Sequence, residues 1–486
     1  MFVKVKLSKI LDGVDHNILQ GSDCEIKNLI IDSRQAVSGS MFFCIRGLKV
    51  DGHNFINDVC ENGAACIVID RDDLISFPEN LTVVKVSDVR CALAFCSANF
   101  FDRPTQNMNL IGVTGTNGKT SVTYFIEAIL REYNHNVGII GTIDSKVNGE
   151  HVNIYYAAPT TPDSIELQKI LSHMNKKNVD DVVMEVSSHS LALHKVDALK
   201  FKIGVFTNLT QDHLDFHKDM QDYLNAKCML FKMCQIGIVN VDDEASDYIL
   251  KNSSCKFYSY GINKNCDFRA ENVLCNENSV SFDITINGVK ENIFVPIPGM
   301  FTVYNVLCAV AVGCIMGVDM SIIKDALSKM NNVPGRMQRV KSQNYNVIVD
   351  YAHSPDSLEN VLKSVREFTK GKLITVFGCG GDRDKSKRPI MGQIASKISD
   401  YCIITSDNPR TESPIQIIDE IERGISNCEY EKIEDRYEAI KKAIELADKN
   451  DVVVIAGKGH ENYQIFADRT IHFDDVEVAE QILNGR

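Results

Sequence analysis

The sequence predicts an α/β protein built on parallel sheets, and three repeated features point to this class. Short apolar runs rich in Val and Ile recur along the chain, a cluster of small and polar residues follows each run, and an amphipathic helical pattern comes next. Uninterrupted apolar runs are typical of strands that are buried on both faces of a parallel sheet. The runs in this order are 108–113, 180–184, 202–206, 345–349, 372–377, 401–405 and 451–455.

The polar clusters behind these runs are the first candidates for a functional site. In open α/β sheets, ligands bind outside the carboxyl ends of the strands. Each cluster taken alone could be an ordinary loop between a strand and a helix. Seven clusters in the same position favour a binding function.

Length and punctuation divide the chain into three predicted domains. A chain of 486 residues is too long for one hydrophobic core. A polar, Pro-containing link lies at 101–109, and Pro334 and Gly335 interrupt the pattern before a new set of apolar runs. The predicted domains are therefore 1–104, 105–335 and 336–486.

Charge and cysteine usage exclude several classes of function. The net charge of −13 argues against a nucleic-acid partner or an anionic membrane. The 16 cysteines show neither a C-x-x-C pair nor zinc-finger spacing, which favours reduced thiols in a cytosol. The start of the chain lacks an apolar signal region, and the apolar stretch at 306–318 is shorter than the ~20 residues of a membrane span. We expect a cytoplasmic protein without a membrane partner.

The segment GVTGTNGKTS at 112–121 predicts a site for a nucleotide triphosphate. It follows an apolar run, and a glycine-rich turn there lets backbone N–H groups and a helix N-terminus face phosphate oxygens. Lys119 is expected to reach the β- and γ-phosphates of ATP, and the Thr120 hydroxyl to bind Mg²⁺. Val113 replaces the first glycine of the common pattern, so Gly115 makes the turn. The predicted phosphate contacts are Gly115, Thr116, Asn117, Gly118, Lys119, Thr120 and Ser121.

The TGTNGKT form of this loop resembles the Mur ligase family of ATP-dependent, amide-forming enzymes. The similarity continues in order through GMFTVYN at 299–305, GRMQ at 335–338 and DYAHSPD at 350–356. It implies a central ATPase sheet, an N-terminal UDP-binding α/β domain and a C-terminal Rossmann-like domain. It also implies ATP contacts from Asn305 near adenine, Arg336 at the phosphates, and Asp350 and His353 at ribose and base. Thr302 departs from the asparagine of the family segment, and His353 has a structural imidazole as its alternative.

Four residues are candidates for metal binding. Glu185 ends an apolar run, where a buried carboxylate is costly unless it meets a cation, so with Thr120 it could hold Mg²⁺. Its alternative is a cap on the next helix. The resemblance implies that His213 and Lys227 bind a second Mg²⁺, with Lys227 carbamylated to N6-carboxylysine by CO₂ or bicarbonate. An ordinary surface lysine is the alternative.

Three segments resemble the substrate contacts of one branch of the family. IDSRQAVSGSMFFCIRG at 31–47 resembles its uridine-nucleotide domain, which implies that Ser33 contacts the UDP moiety. His53 is a second candidate there, with a structural imidazole as its alternative. TTPD at 160–163 and EVSSHSLALHKVD at 185–197 imply contacts to the muramoyl dipeptide. The implied contacts are Thr160, Thr161, Ser187 and Lys195, the last in place of the usual Arg.

Three C-terminal segments resemble the branch that adds meso-diaminopimelate. These are GGDRDK at 380–385, DNPRTE at 407–412 and GKGHE at 457–461. The implied reaction joins meso-diaminopimelate to the D-Glu γ-carboxylate of UDP-N-acetylmuramoyl-L-Ala-D-Glu, through an acyl phosphate, in peptidoglycan synthesis. A monomer is expected. The implied contacts to the amino acid are Arg383, Asn408, Arg410, Gly457 and Glu461.

Two other functions remain open from the sequence. The same ATPase module serves folylpolyglutamate synthesis, although the DSR and DNPR segments argue against that activity. A P-loop kinase or regulatory NTPase would release ADP without forming an amide. Phosphate release that depends on both an acidic nucleotide and an amine distinguishes a ligase from a kinase.

Overall fold

The structure is a computed structural model that describes residues 4–47, 50–71, 77–154, 160–342 and 345–485. The chain forms two compact units. The first comprises Met1–Gly112, His135–Gly204 and Met229–Gln235, and the second comprises Val113–Asn134, Val205–Cys228 and Ile236–Arg486. The domain ranges 1–104, 105–335 and 336–486 stay a prediction.

The first unit begins with a five-stranded sheet in the order β2-β7-β6-β5-β4, in which β4 to β7 run parallel and β2 is antiparallel. Alternate residues of β5 face two different cores, with Met41 and Phe43 on one side and Phe42 on the other. Its elements are β1 Val5–Lys6, α1 Leu7–Ile10, β2 Asn17–Gln20, β3 Glu25–Ile26, β4 Asn28–Ile30, β5 Ser40–Phe43, α2 Ile56–Glu61, β6 Cys66–Ile69, β7 Thr82–Lys85 and α3 Val89–Phe100.

The middle of the chain alternates strands and helices. Its strands are β8 Asn109–Thr114, β9 Val137–Ile140, β10 Ser145–Val147, β11 Glu150–His151, β12 Asp181–Glu185, β13 Phe201–Phe206, β14 Cys234–Asn240, β15 Lys256–Gly261, β16 Phe268–Cys275, β17 Val280–Ile286 and β18 Val289–Val295. Its helices are α4 Lys119–Glu132, α5 Ser164–Lys176, α6 Ser188–Ala192, α7 Met220–Cys228, α8 Ala245–Lys251, α9 Met300–Ile315 and α10 Met320–Ser328.

Each unit contains its own part of this region. In the first unit, β9 and β12 are parallel, and β10 and β11 continue the sheet in antiparallel pairs. In the second unit, β14, β15 and β16 are parallel, and β17 and β18 form an antiparallel meander with β16. The apolar stretch at 306–318 lies largely in α9, which packs on α4 and β16 and is buried through residues 305–313. Among the described residues, no helix has both the length and the apolar character to cross a membrane.

The C-terminal part of the second unit is a six-stranded sheet in the order β19-β20-β24-β21-β22-β23, parallel except for β19. Helices cover both faces, so its strands are buried on two sides. Its elements are β19 Gln338–Val340, β20 Asn346–Asp350, α11 Pro355–Phe368, β21 Leu373–Phe377, α12 Lys387–Ile398, β22 Tyr401–Ile404, α13 Pro414–Glu422, β23 Glu429–Lys432, α14 Arg436–Leu446, β24 Val452–Ala456, β25 Tyr463–Ile465, β26 Thr470–His472 and α15 Asp475–Asn484.

The predicted fold class is confirmed. All seven predicted apolar runs form strands, namely β8, β12, β13, β20, β21, β22 and β24. The polar cluster behind each of them therefore lies at a strand's carboxyl end, where parallel sheets bind ligands.

Candidate active site

The phosphate loop connects β8 to α4, as the sequence predicts. Gly115 has φ +148° and Gly118 has φ +85°, values that side-chain-bearing residues rarely adopt. A Cβ on Gly115 would overlap the Thr207 hydroxyl, and one on Gly118 would lie 2.5 Å from the Asn305 side-chain oxygen. Both glycines are therefore required by backbone conformation and by close approach.

The segment after β13 holds the loop in place. Thr116 N–H donates to the Asn208 carbonyl at 2.9 Å, and Asn117 N–H donates to the Asn208 side-chain oxygen at 2.9 Å. The Thr210 backbone N–H donates to the Thr116 hydroxyl at 3.0 Å. The Asn117 side chain also donates to Asp356 at 2.7 Å, so the N-terminus of α11 contacts the same loop.

Lys119 and Thr120 occupy the first positions of α4. The Lys119 ammonium donates to the carbonyls of Gly115 at 3.0 Å and Thr116 at 2.8 Å, which places its charge over the loop. The Thr120 hydroxyl is buried and accepts a hydrogen bond from the Arg336 guanidinium at 3.2 Å. The structure thus brings Arg336 to the start of the phosphate-loop helix.

A cavity of about 450 Å³ opens beside the loop within the second unit. This volume lies in the range of small-molecule sites, roughly 300–1,000 Å³. Six residues predicted to contact ATP line the cavity: Asn117, Gly118, Ser121, Asn305, Arg336 and Asp350. The other side chains that line it include Asn208, Asp242, Asp243, Phe301, Tyr304 and Asp356.

Asp350 and Arg336 shape one wall of this cavity. The Asp350 carboxylate accepts the backbone N–H groups of Met337 at 2.7 Å and Ala352 at 2.8 Å. Burial raises the pKa of this carboxyl. The Arg336 guanidinium lies 4.6 Å from the centre of the Tyr351 ring. Asp350 therefore orders the turn that presents Arg336.

Thr302, the departure from the family segment, has a local structural role. Its hydroxyl is buried and donates to the Pro298 carbonyl at 2.8 Å. Threonine thus satisfies a backbone acceptor at the start of α9. Asn305, one turn further on, faces the cavity.

A second cluster, His213, His353, Asp212, Tyr223 and Lys227, lies near the loop. Asp212 is 3.8 Å from the His213 ring nitrogen and 3.9 Å from that of His353. Burial raises the pKa of the Asp212 carboxyl, but the positive charges of His213, His353 and Lys387 outweigh it and hold the pKa below its ordinary value. Burial, followed by repulsion from Lys387, lowers the pKa of His353. The cluster therefore holds a carboxylate between two imidazoles.

Lys227 is buried with 1% of its surface exposed, so the surface-lysine alternative is excluded. Its ammonium nitrogen lies 4.2 Å from the centre of the Tyr223 ring. Burial lowers the pKa of Lys227 far below its ordinary value, and repulsion from Lys119 adds to this shift. A neutral amine in this position is the form that can react with CO₂.

The predicted dipeptide contacts and Glu185 meet in the first unit. The Glu185 carboxylate is buried and accepts both the backbone N–H and the hydroxyl of Thr142 at 2.9 Å. The hydroxyl oxygens of Thr142 and Thr160 lie 3.2 Å apart. Thr161 donates to the Glu185 carbonyl at 3.0 Å. Ser187 caps α6, so Glu185 is not the cap of that helix.

Lys195 lies on the segment that follows α6. Its ammonium pairs with Asp163 at 2.9 Å, and its carbonyl accepts the Ser164 hydroxyl at 3.2 Å. The lysine therefore contacts the N-terminus of α5, directly behind the TTPD segment. The ion pair with Asp163 holds the Lys195 ammonium in one position.

The two candidates near the start of the chain differ in their surroundings. Ser33 is half-buried in a short 3₁₀ turn at Ser33–Gln35, which Asp32 caps. His53 is buried, and its ring contacts Asp51 at 2.6 Å and Asp70 at 3.5 Å. The hydrogen bond between His53 Nδ1 and Asp51 favours a structural imidazole, whereas Nε2 is buried and makes no hydrogen bond among the described residues.

The C-terminal candidates gather at the carboxyl ends of β22 and β24. Asn408 is buried, donates to Glu461 at 2.8 Å and accepts from the Lys458 ammonium at 3.3 Å. Burial, followed by repulsion from Asp407, raises the pKa of Glu461. A Cβ on Gly457, which has φ +120°, would lie 2.6 Å from the Asp407 carboxylate. This cluster combines a buried lysine with two carboxylates and an amide.

Arg410 and Arg383 lie beside that cluster. The Arg410 guanidinium donates to the Gly381 carbonyl at 2.8 Å, and its backbone adopts φ +54°. Arg383 is exposed and donates to the Asp382 carbonyl at 3.1 Å. The two guanidinium groups therefore lie near the turns after β21 and β22, where a carboxylate could reach them.

The sequence reasoning missed several residues of these clusters. Asn208, Thr210 and Asp212 lie in the same TNLTQDH segment as His213, and Lys458 lies inside the GKGHE segment. Their position in the sequence next to predicted site residues was the signal that could have identified them. Asp356 ends the DYAHSPD segment of Asp350 and His353, but the sequence does not show its partner Asn117, which is 239 positions away.

Comparison with known families gives matches along the chain. The Mur ligase middle domain matches residues 113–313, the glutamate ligase domain of the Mur ligases matches 335–459, and the catalytic domain of the Mur ligase family matches 25–100. These three matches together cover most of the sequence.

Full-length relatives carry one enzyme name. The UDP-N-acetylmuramoyl-L-alanyl-D-glutamate--2,6-diaminopimelate ligase of Clostridium botulinum is 46% identical over 484 residues, which is 99% of each chain. Enzyme 1 of that name from Clostridium acetobutylicum is 47% identical over 483 residues, again 99% of each chain. The Clostridioides difficile enzyme is 46% identical over 99% of this chain and 100% of its own.

Solved structures show the same fold. A UDP-N-acetylmuramoyl-L-alanyl-D-glutamate--2,6-diaminopimelate ligase is 30% identical, with a TM-score of 0.70 over 99% of both chains. MurF ligase from Thermotoga maritima in complex with ADP is 18% identical, with a TM-score of 0.65 over 94% of this chain and 98% of its own. Mycobacterium tuberculosis folylpolyglutamate synthase is 16% identical, with a TM-score of 0.65 over 76% of this chain and 93% of its own. The last two share the fold alone. With its three-domain α/β fold, its phosphate loop and these full-length relatives, the chain belongs to the Mur ligase family.

Proposed function

We propose that this protein is the ATP-dependent ligase that adds meso-diaminopimelate to UDP-N-acetylmuramoyl-L-Ala-D-Glu in cytoplasmic peptidoglycan precursor synthesis. The observation that carries the proposal is the phosphate loop, opening into a cavity of about 450 Å³, in a chain that matches relatives of that name over 99% of its length. We assign the UDP-linked substrate to the predicted range 1–104, ATP to 105–335 and diaminopimelate to 336–486. We also propose that the protein is a monomer.

The ATP site is proposed to use the loop, the cavity and the cluster after β13. Backbone N–H groups of 115–121 and the Lys119 ammonium face the phosphates, while Asn305 lies toward adenine. Arg336 neutralises phosphate charge from the opposite wall. His353 and the turn that Asp350 orders lie toward ribose and base.

Magnesium fits the donors that this region offers. In the second unit, Thr120 supplies a hydroxyl and His213 an imidazole, and carbamylated Lys227 would add an anionic oxygen. In the first unit, Glu185 supplies a buried carboxylate. The depressed pKa of Lys227 supports its reaction with CO₂ or bicarbonate, since only the neutral amine is nucleophilic. When bound, the cation supplies neutralisation of phosphate charge.

The proposed chemistry has two steps. First, an oxygen of the D-Glu γ-carboxylate attacks the γ-phosphorus of ATP and the bond to the β-γ bridging oxygen breaks, giving an acyl phosphate and ADP. Second, the neutral amine of diaminopimelate attacks the acyl carbon, inorganic phosphate leaves, and the amine loses a proton as the amide forms. Catalysis of such transfers comes mainly from positioning and charge neutralisation, which Lys119 and Arg336 provide.

The acidic nucleotide is proposed to bind residues of the first unit. Ser33 contacts the UDP moiety, while Thr160, Thr161, Ser187 and Lys195 contact the muramoyl dipeptide. The linked hydroxyls of Thr142 and Thr160 support this assignment, because they form a polar row beside the buried Glu185. Lys195 offers one fixed positive charge in a chain whose net charge is −13.

The amino acid is proposed to bind the cluster after β22 and β24. Arg410 and Arg383 offer guanidinium groups to the carboxylates of diaminopimelate, and Asn408 and Glu461 offer polar acceptors to its far ammonium. Gly457 lets the backbone approach closely. L-Lysine as a competing substrate lacks the second carboxylate of diaminopimelate. Its binding would therefore leave an arginine of this site without a carboxylate partner.

A panel of amines tests this function. Purified enzyme, ATP, Mg²⁺ and UDP-N-acetylmuramoyl-L-Ala-D-Glu are incubated with meso-diaminopimelate, L-lysine, L-ornithine or D-alanyl-D-alanine, and phosphate release and product mass are measured. We expect phosphate release and a product of the added mass with meso-diaminopimelate. Equal use of L-lysine would overturn the proposed specificity.

The same experiment separates the other activities. Release of phosphate without an amine would indicate an NTPase, and phosphate release with a folate and glutamate would indicate folylpolyglutamate synthesis. Lys119→Ala is the matched control, because it removes the charge at the phosphates and should abolish release with every amine.

A further inference from the structure

We propose that Cys91, His194 and Asp197 form a binding site for Zn²⁺ or a similar late first-row transition-metal ion. One Sγ, one imidazole nitrogen and one carboxylate oxygen from these residues all lie within 4.8 Å of one another. The three residues belong to the first unit and are half-buried. The proposal is independent of the proposed function, since none of the three has a part in the reaction.

Two different parts of the fold bring the ligands together. Cys91 lies in the first turn of α3, whose N-cap Asp88 accepts the Cys91 backbone N–H at 2.8 Å. His194 and Asp197 lie on the segment after α6, and His194 adopts φ +57°. The His194 ring contacts the Asp197 carboxylate at 2.6 Å. A metal would therefore connect α3 to this segment.

The distances suit a tetrahedral ion. Zinc binds sulfur at about 2.3 Å and nitrogen or oxygen at about 2.0–2.2 Å. Such bonds separate neighbouring ligand atoms by roughly 3–4 Å. The ligand atoms, which lie within 4.8 Å of one another, would therefore approach by up to about 2 Å, and the 2.6 Å contact between His194 and Asp197 would lengthen. Three protein ligands leave a fourth position for water.

The chemistry of the donors selects the metal. A thiolate and an imidazole favour borderline or soft cations, whereas Mg²⁺ prefers oxygen ligands at octahedral geometry. Among the charges that act most strongly on the His194 ring, those of Asp197 and Asp88 are negative and that of Arg90 is positive. This surplus of negative charge favours a divalent cation.

A catalytic thiol is the competing interpretation, and the contacts argue against it. An activated cysteine has a lowered pKa and a neighbouring base or cation. Here the Cys91 sulfur lies within 4.8 Å of the Asp197 carboxylate as well as of the His194 ring. The carboxylate also holds the imidazole, which places a negative group where a thiolate would form. A bound cation removes this conflict, because it stabilises the thiolate directly.

The site would fix a segment that matters to the proposed substrate contacts. Lys195 lies between the two ligands His194 and Asp197, and its carbonyl accepts the Ser164 hydroxyl. Zinc that binds the folded state alone also stabilises that state. We therefore expect zinc to raise the unfolding temperature as well as to bind.

Equilibrium dialysis of the full-length protein tests the site. Wild type, Cys91→Ser and Cys275→Ser are dialysed against Zn²⁺ with excess Mg²⁺ and a phosphine reductant, and bound zinc is measured by mass spectrometry. Cys275 is the matched control, a half-buried free cysteine on β16 in the other unit. Wild type and Cys275→Ser should bind about one equivalent more zinc than Cys91→Ser. The affinity for this equivalent should be at least about 100-fold weaker in Cys91→Ser than in wild type.

Cobalt and a second variant identify the ligands. Co²⁺ in the wild type should give a thiolate-to-cobalt absorption band that Cys91→Ser lacks and Cys275→Ser retains. His194→Asn keeps a residue that tolerates positive φ and should also lose the extra zinc and the rise in unfolding temperature. Folding of each variant is checked by circular dichroism without metal. Equal zinc binding by wild type, Cys91→Ser and His194→Asn, or a cobalt spectrum without the thiolate band, would overturn the proposal.

Discussion

Replacement of Lys227 by alanine tests the most unusual side chain of the proposed active site. The lysine is 1% exposed, and its nitrogen lies 4.2 Å from the Tyr223 ring centre. An amine with an ordinary pKa of about 10.4 is only roughly 0.04% neutral at pH 7, and each unit of lowering raises this fraction about tenfold. Burial lowers the pKa of Lys227 far below that value, so a neutral amine is available to CO₂.

Carbamylation would reverse the electrostatics around this residue. The positive charge of Lys119 repels the Lys227 ammonium but would attract a carbamate, whereas Asp212 and Asp243 would repel it. The carbamate on Lys227 would therefore need a bound metal cation to balance these carboxylates. His213 is the proposed second ligand of that cation. Lys227→Ala removes this oxygen donor, so kcat should fall by at least about 100-fold. Added acetate or formate should restore part of the activity.

The assay combines phosphate release with a direct measurement of the carbamate. Wild-type enzyme equilibrated with ¹³C-bicarbonate should show one carbamate carbon signal that Lys227→Ala lacks. Lys232→Ala is the control, since Lys232 is exposed at the end of the following turn and its loss should change kcat by less than about twofold. The reasoning fails if active wild-type enzyme shows no carbamate signal, or if Lys227→Ala keeps wild-type kcat.

Four further substitutions have defined outcomes. Lys119→Ala should lower kcat by at least about 100-fold with an unchanged unfolding temperature; full activity in the folded variant would exclude the phosphate-loop role. Gly115→Ala should abolish binding of an ATP analogue in calorimetry, because a Cβ overlaps the threonine behind the loop; a normal Kd would contradict this. Asp475→Ala removes the carboxylate that pairs with the buried Arg436 and should lower the free energy of unfolding in urea by about 3–5 kcal/mol. Glu422→Ala removes the partner of Lys432 in an exposed pair and should lower it by at most about 1 kcal/mol. Similar losses in the two variants would refute the argument. Arg410→Ala should lower kcat/KM for meso-diaminopimelate by about 30-fold or more, a cost of roughly 2–5 kcal/mol, without lowering that for L-lysine; a retained preference would remove Arg410 from the specificity site.

The sequence by itself determined seven strands of the parallel sheets and the phosphate loop. Buried parallel strands need short apolar runs, and a phosphate loop needs small residues before a helix, so both are encoded in adjacent residues. The runs at 345–349 and 451–455 became β20 and β24 for this reason. Gly115 and Gly118 likewise show their positive φ values in a motif that can be read from ten consecutive letters.

Only the tertiary structure decided the ionisation and the partners of the polar side chains. Burial of Lys227 depends on Tyr223 and on charges from separate loops, and the contact between Asn117 and Asp356 joins residues 239 positions apart. The grouping of Cys91 with His194 likewise has no signal in the sequence, because it depends on how α3 packs within the first unit. A pKa and a hydrogen-bond partner are set by surrounding groups in space, and the local sequence pattern specifies those groups only through the complete fold.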